Sequence, residues 1–159
     1  MRRQSGILLH ISSLPSRYGI GSLGQAAYQF VDFLEASGQT LWQVLPIGVT
    51  GFGDSPYQSF STFAGNPYFI DLEELLEQDL LEPAEVQAAS QNGSVDRVEY
   101  GMLFETRLPL LKKAALRGYG RYGAEEQDFY RGNEDWLPDY SLFMALKKHF
   151  SQKPYWEWP

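Results

Sequence analysis

Two short apolar runs, separated by an amphipathic segment, open the chain. Residues 6–11 and 40–45 are compact apolar runs bounded by Ser, Gly and Pro, which is typical of buried strands. Between them, the apolar positions of residues 26–34 recur at helical spacing and predict an amphipathic helix. Ser22 is placed to cap the start of this helix, and Gly38 to end it. The order predicts a βαβ unit with parallel strands and a right-handed crossover.

From residue 73 onward the pattern changes to helical spacing, and no segment has the character of a good strand. The predicted helices lie at 72–80, 83–89, 103–115 and 140–150. Pro109 falls inside the third of these and is expected either to kink it or to divide it. Residues 129–136 are polar and aromatic, and we expect a connector there. The last six residues have no periodicity.

These patterns divide the chain into two parts. Residues 1–72 form the first βαβ unit and the loop that follows it, and residues 73–159 form a mainly helical subdomain. Two parallel strands cannot bury both of their faces without further strands and helices around them. A closed (β/α)8 barrel needs eight strands and about 250 residues. The expected fold class is therefore α/β, as the start of a larger and here incomplete barrel.

Charge and composition narrow the possible partners. The chain has 159 residues, a formal net charge of −7, no cysteine and two histidines. This acidity disfavours nucleic acid and anionic membrane surfaces as partners. The composition excludes disulfides, thiolate metal sites and multi-histidine metal sites. No signal peptide and no apolar run long enough to span a membrane is visible, so we expect a cytoplasmic protein without a metal or cofactor.

Aromatic residues make up 15% of the chain, which suits a surface that stacks flat ligands such as sugars. The loop at 46–67 follows the second strand, and ligands of parallel α/β folds sit at the carboxyl ends of the strands. Asp54, Ser55 and Tyr57 offer carboxyl and hydroxyl groups there that suit sugar hydroxyls. The alternative is a rigid turn whose side chains bond their own backbone.

Two other features carry weaker functional signals. Residues 19–24 have the G-x-G-x-x-G spacing of a dinucleotide site, but no acid lies about 20 residues further on. A close-fitting helix start explains these glycines better. His10, at the end of the first strand, is more often a structural hydrogen-bonding residue than a catalyst. No paired carboxylates, nucleophile elbow or phosphate-binding loop can be identified.

Four motifs in order resemble the start of the 4-alpha-glucanotransferases, also called amylomaltases or disproportionating enzymes. They are GILLHISSLPSRYGIG at 6–21, WQVLP at 42–46, GDSPYQS at 53–59 and AGNP at 64–67. WLPDYSLF at 136–143 and WEWP at 156–159 extend the resemblance to the end of the chain.

The resemblance implies a (β/α)8 barrel with helical insertions, completed by the remainder of the barrel polypeptide. It implies retaining transfer of α-1,4-glucan segments, with a nucleophilic Asp and an acid/base Glu that both lie beyond residue 159. No catalytic residue is therefore expected in this chain. Tyr57 is expected to line the donor subsite that Ser55 and Asp54 shape, and Phe52 and Tyr100 to fall near a second glucan site. The rival interpretations are a non-catalytic α-glucan-binding module and a nucleotide-binding α/β domain.

Overall fold

The computed structural model describes residues 3–51, 53–90 and 96–159. Strand β1 (Gly6–Leu8) and strand β2 (Leu41–Gln43) pair in parallel, with Ile7 opposite Trp42. Helix α1 (Gln25–Ala36) connects them, so the predicted βαβ unit is confirmed. Both strands are shorter than predicted, because the chain turns away from β1 into a 3-10 turn at Ile11–Ser13.

The two ends of α1 differ in how well the sequence predicted them. The helix ends as predicted: Gly38 has a φ of +67°, its N–H bonds to Glu35 O, and Gln39 N–H bonds to Leu34 O. At the start, the prediction that Ser22 is the cap is wrong, since Gly24 occupies that position. The Ser22 hydroxyl instead donates to Asp71 Oδ2 at 2.5 Å, and a hydrogen bond to an ionised acceptor is stronger than one between neutral groups.

Five helices follow in the second half of the chain. They are α2 (Leu72–Glu77), α3 (Pro83–Ser90), α4 (Tyr100–Tyr119), α5 (Gly123–Gly132) and α6 (Leu137–His149). Asp71 caps α2 by accepting hydrogen bonds from the backbone of Glu73 and Glu74. Helix α4 runs through Pro109 without a break, and both Pro109 and Glu105, four residues before it, are exposed.

Helix α5 occupies residues 129–132 of the connector predicted at residues 129–136, so only residues 133–136 connect two helices. None of its residues is buried, so the chain carries no apolar stripe there that would signal a helix. The helix is instead favoured by charges suited to its dipole, with Glu125 and Glu126 in the first turn and Arg131 in the last.

Two apolar clusters form the core, and α4 contributes to both. The first cluster contains Ile11, Leu14, Ile20, Ala27, Tyr68, Phe69 and Leu103. The second contains Tyr18, Leu72, Leu80, Leu81, Val86, Leu110 and Ala114. The ion pairs from Arg117 and Lys113 of α4 to Glu85 of α3 border the second cluster, and the Arg117 hydrogen bond lowers the pKa of Glu85 to about 2.

Contacts group the chain into two units, one extending to Gly118 and the other beginning at Tyr119. A domain boundary near residue 72 stays a prediction. In the second unit, the carboxyl-terminal tail packs on α6, with the Trp158 ring 5.7 Å from Phe143 and 5.3 Å from Phe150. Within the described ranges, no helix is long and apolar enough to cross a lipid bilayer.

We expect Gly21→Ala to destabilise the fold by about 2 kcal/mol or more, because the methyl group meets fixed backbone. An added Cβ would lie 2.8 Å from Leu14 N and closer still to Ile11 O. Gly101→Ala is the matched control: its Cβ would meet no atom within 4 Å, and Ala is the better helix former by about 1 kcal/mol. Thermal unfolding followed by circular dichroism measures both. Equal melting temperatures for the two variants would contradict this description of the turn.

Candidate functional site

The loop between β2 and α2 is closed at its base. Gly48 forms an isolated antiparallel bridge with Gly65, and the backbone N–H of Asn66 donates to Ile47 O at 2.8 Å. The Asn66 side chain then accepts from Tyr68 N at 3.0 Å and begins a 3-10 turn at Pro67–Phe69. The loop from residue 49 to residue 64, at the carboxyl end of β2, is therefore closed by backbone hydrogen bonds between the residues at its two ends.

Serine side chains hold the middle of this loop. Ser55 Oγ accepts a hydrogen bond from Tyr57 N at 3.3 Å, and Ser55 O accepts one from Gln58 N at 3.2 Å. Ser61 Oγ likewise accepts from the backbone of Phe63 and Ala64 at 3.1 Å. The serines therefore bond their own backbone, as the rigid-turn alternative expects, while Tyr57 is 70% exposed and the sugar-binding alternative stays a prediction.

Asp54 has an unusual backbone and a partly desolvated carboxyl group. It follows Gly53, and both residues lie in the left-handed region, with φ of +55° and +92°. Its N–H donates to Gly51 O at 3.1 Å, which closes a tight turn. Although the residue as a whole is exposed, partial burial raises the pKa of its carboxyl group.

The charge of Asp54 acts on a pair of tyrosines in the core. The Tyr68 and Tyr100 rings lie 6.1 Å apart at a 54° angle. Burial, and then the Asp54 charge, raise the pKa of Tyr68 to about 12. The pKa of Tyr100 is raised in the same way, against the effect of a hydrogen bond with Ser12. Ser12 follows β1 and Asp54 follows β2, so groups from the turns after both strands influence the pKa of Tyr100.

His10 lies beside this group but makes no hydrogen bond through one of its nitrogens. Its Nδ1 is buried and has no partner within the described part of the chain. The ring packs edge-on against Phe69, with centroids 5.4 Å apart. Burial lowers the pKa of the imidazole below 6.5, so the ring is neutral at pH 7. His10 acts here as a packed ring, and Nδ1 does not have the structural hydrogen bond that the sequence favoured.

The start of α1 does not offer a phosphate site. Asp71 is a neighbour of this helix terminus: it accepts from Ser22, and a Cβ on Gly24 would lie 2.9 Å from Asp71 Cβ and closer to its carboxylate. A carboxylate at this place repels a second anion. The glycine at 24 therefore serves close packing, as the sequence interpretation favoured over nucleotide binding.

The structure places some of the predicted site residues in one loop, and one of them lies outside the residues that it describes. Asp54, Ser55 and Tyr57 share one loop, and the charge of Asp54 raises the pKa of Tyr100. Phe52 lies outside the described residues. The sequence analysis did not single out Ser12 and Tyr68, because their relation to Tyr100 and Asp54 is tertiary and no local spacing reveals it. Among the described residues, no group of three or more His, Asp or Glu side chains could hold a metal ion.

Comparison with known proteins points to one family. Residues 9–159 match the family model described as 4-alpha-glucanotransferase. A 4-alpha-glucanotransferase of Streptococcus pneumoniae is 47% identical over 159 residues, covering 99% of this chain and 32% of the relative. The Thermus thermophilus protein of the same name is 45% identical over 162 residues, covering 99% of this chain and 31% of its own length.

A solved structure agrees with these sequence matches. The amylomaltase from Streptococcus agalactiae in complex with acarbose superposes with a TM-score of 0.93 at 43% identity. The superposition covers 99% of this chain and 32% of the amylomaltase. The chain thus spans about a third of the length of the relatives that it matches.

We expect Asp54→Asn to raise the melting temperature at pH 7, because it removes a partly buried charge and Asn tolerates the left-handed backbone. The folded-state pKa of Asp54 lies above its ordinary value of 3.8, so the native chain binds more protons than the unfolded chain between those two values. The parent protein therefore gains stability as the pH falls through that interval, and the advantage of Asp54→Asn disappears there.

Melting curves from pH 7 to pH 3 measure this effect. Asp32→Asn, at an exposed position on α1, is the control and should show no such convergence. If Asp54→Asn were less stable than the parent at pH 7, the carboxylate would be a stabilising anchor and our description would be wrong.

Proposed function

The chain belongs to the 4-alpha-glucanotransferase family, and we propose that it forms the amino-terminal third of an enzyme that transfers α-1,4-glucan segments to a glucan or glucose acceptor. The observation that carries this proposal is the family match over residues 9–159. The fold agreement with an amylomaltase in complex with acarbose is consistent with it. A cytoplasmic location stays a prediction.

We further propose that β1 and β2 are two strands of a (β/α)8 barrel whose other strands come from the rest of the polypeptide. Each strand pairs only with the other within the described residues, so each keeps an unpaired edge. Leu8 and Leu41 on these strands are about half exposed. Exposed aliphatic side chains beside open strand edges are expected where more protein covers them.

The proposed reaction is a retaining double displacement. In the first step an Asp forms a bond to the anomeric carbon as the glycosidic bond breaks, and a Glu donates a proton to the departing O4. In the second step the O4 hydroxyl of the acceptor attacks that carbon, the Asp leaves, and the Glu takes the proton. These two carboxylates should lie about 5 Å apart, on parts of the enzyme beyond this chain.

The contribution of this chain is to hold the donor sugar with the loop after β2. Tyr57 presents an exposed ring from a turn that Ser55 holds, and a tyrosine ring suits the C–H face of a sugar. The charge of Asp54 raises the pKa of both Tyr68 and Tyr100, which indicates that this turn lies near that pair of rings. We therefore propose that Ser55 and Asp54 shape the subsite mainly by positioning Tyr57.

We expect the 159-residue chain by itself to show no transfer, because it lacks the nucleophile and the acid/base. A chimera in which this chain replaces the aligned 159 residues of the Streptococcus pneumoniae enzyme should convert two maltotriose molecules to glucose and maltopentaose. Released glucose and the oligosaccharide ladder are measured chromatographically, against heat-denatured protein.

Transfer by the chain alone would place the catalytic pair within it, and a folded but inactive chimera would contradict the proposed function. Glucan binding without any transfer would favour a non-catalytic binding module.

In the same chimera, Tyr57→Ala should reduce the transfer rate about tenfold or more, and Tyr57→Phe less than about threefold. The ring face is proposed to position the sugar beside the cleaved bond, with the hydroxyl secondary. Initial rates with maltotriose are compared, and circular dichroism monitors the fold. Near-normal turnover by Tyr57→Ala would show that this ring does not line the donor subsite.

A further inference from the structure

A groove of about 500 Å³ lies along α5 in the second unit. Its lining residues are Tyr119, Gly123, Glu126, Gln127, Tyr130 and Arg131. None of them belongs to the loop after β2 that we propose to hold the donor sugar. Ligand-binding sites in proteins commonly have volumes of about 300–1,000 Å³ and are lined by aromatic side chains with a few polar groups. The groove fits that description.

One face of α5 forms most of the groove. Gly123, Gln127 and Tyr130 are spaced four and seven residues apart, which places them on the same side of a helix. Tyr119 comes from the last turn of α4. Gly123 leaves the start of this face open, since a Cβ there would meet no atom within 4 Å. None of the residues of α5 is buried, so this face is not used for core packing.

The chemistry of the groove suits a neutral polyhydroxyl ligand. Tyr119 is 69% exposed and Tyr130 is 49% exposed, so two rings with polar tips are available for sugar faces. The Gln127 amide both donates and accepts hydrogen bonds, and the Glu126 carboxylate accepts them. Arg131 is paired with Asp128, so the groove has no free excess of positive charge for a phosphate or nucleotide.

We infer that this groove is an additional binding site for an α-1,4-glucan chain. Its lining residues do not include Phe52 or Tyr100, near which the family resemblance implies a second glucan site. The groove itself supports a sugar ligand, and the α-1,4 linkage rests on the proposed function. In this site the two tyrosine rings stack on sugar units, and Gln127 and Glu126 bond their hydroxyl groups. Gly123 provides the space that a sugar unit fills.

The experiment titrates the 159-residue chain with maltoheptaose by isothermal calorimetry. Every protein carries Tyr57→Ala, so that the loop after β2 is weakened and the groove gives the remaining signal. Cellohexaose, with β-1,4 linkages, serves as the ligand control. Maltoheptaose should bind and cellohexaose should bind much more weakly, because the spacing of the rings has to match the curvature of the glucan.

Two substitutions on α5 test the site. Gly123→Phe should abolish binding, since Gly123 lines the groove, its Cβ position is open and the added ring would occupy the space of a sugar unit. Tyr130→Ala should weaken binding about fivefold, as expected for the loss of one stacked ring. Gly132→Phe is the matched control: it lies on the same helix, on the opposite face from Gly123, and its Cβ also meets no atom within 4 Å. It should bind maltoheptaose like the parent.

Several results would overturn the inference. They are no binding by the Tyr57→Ala parent, unchanged binding by Gly123→Phe, or equal loss in Gly123→Phe and Gly132→Phe. Equal affinity for cellohexaose would show that the groove does not select α-glucans. The maltotriose assay of the chimera is a separate readout. An active chimera together with unaffected binding by Gly123→Phe would reject the groove alone, and an inactive chimera with groove binding would reject the proposed function alone.

Discussion

The core of the first unit contains a buried guanidinium group that constrains the residues around it. Arg107 on α4 is 3% exposed and donates from Nη2 to Ile70 O at 2.5 Å, while its Nε finds no partner in the described part of the chain. Burial lowers its pKa to about 10, an effect that Asp71, Tyr18 and Tyr68 partly oppose, so it stays charged at neutral pH. Burying such a charge costs several kcal/mol unless nearby groups compensate it. The position of Arg107 is tolerable only if Ile70 and Asp71 stay where they are.

The need to keep Ile70 and Asp71 in place also constrains the loop between β2 and α2. Asp71 also caps α2 and accepts from Ser22, so one carboxylate links the start of α2 to the turn just before α1. Its charge also partly opposes the lowering of the pKa of Arg107 on α4. The segment immediately before Asp71 contains Gly65, whose bridge to Gly48 closes the base of the loop. The loop therefore begins and ends on a rigid part of the core. An exposed Tyr57 on such a base has less freedom to lose when a sugar binds.

Local pattern was sufficient where an element buries its own apolar residues. The βαβ unit, its parallel strands and the glycine at the end of α1 followed from apolar runs and one φ-permissive residue, Gly38. Pattern failed where a partner is distant in sequence or absent. Ser22 bonds an acid 49 residues away instead of capping its helix, and α5 buries nothing that would give it an apolar stripe. The candidate site divides in the same way. Tyr57 was visible as a loop motif, whereas the effect of Asp54 on Tyr68 and the hydrogen bond between Ser12 and Tyr100 exist only in the folded chain.

The exposed apolar surface has two kinds of side chain, and they predict different partners. Leu8 and Leu41 lie on strands with unpaired edges, and their aliphatic side chains cannot hydrogen-bond water. Burial of these side chains against more protein is therefore favoured. Exposed tyrosine rings lie at Tyr57, Tyr119 and Tyr130. Their hydroxyl groups can hydrogen-bond water when no ligand is bound, and their ring faces suit a ligand that has both apolar faces and hydroxyl groups. A sugar chain is such a ligand. The contrast is consistent with our proposals that the rest of a barrel covers the strand edges and that glucan binds the tyrosine surfaces.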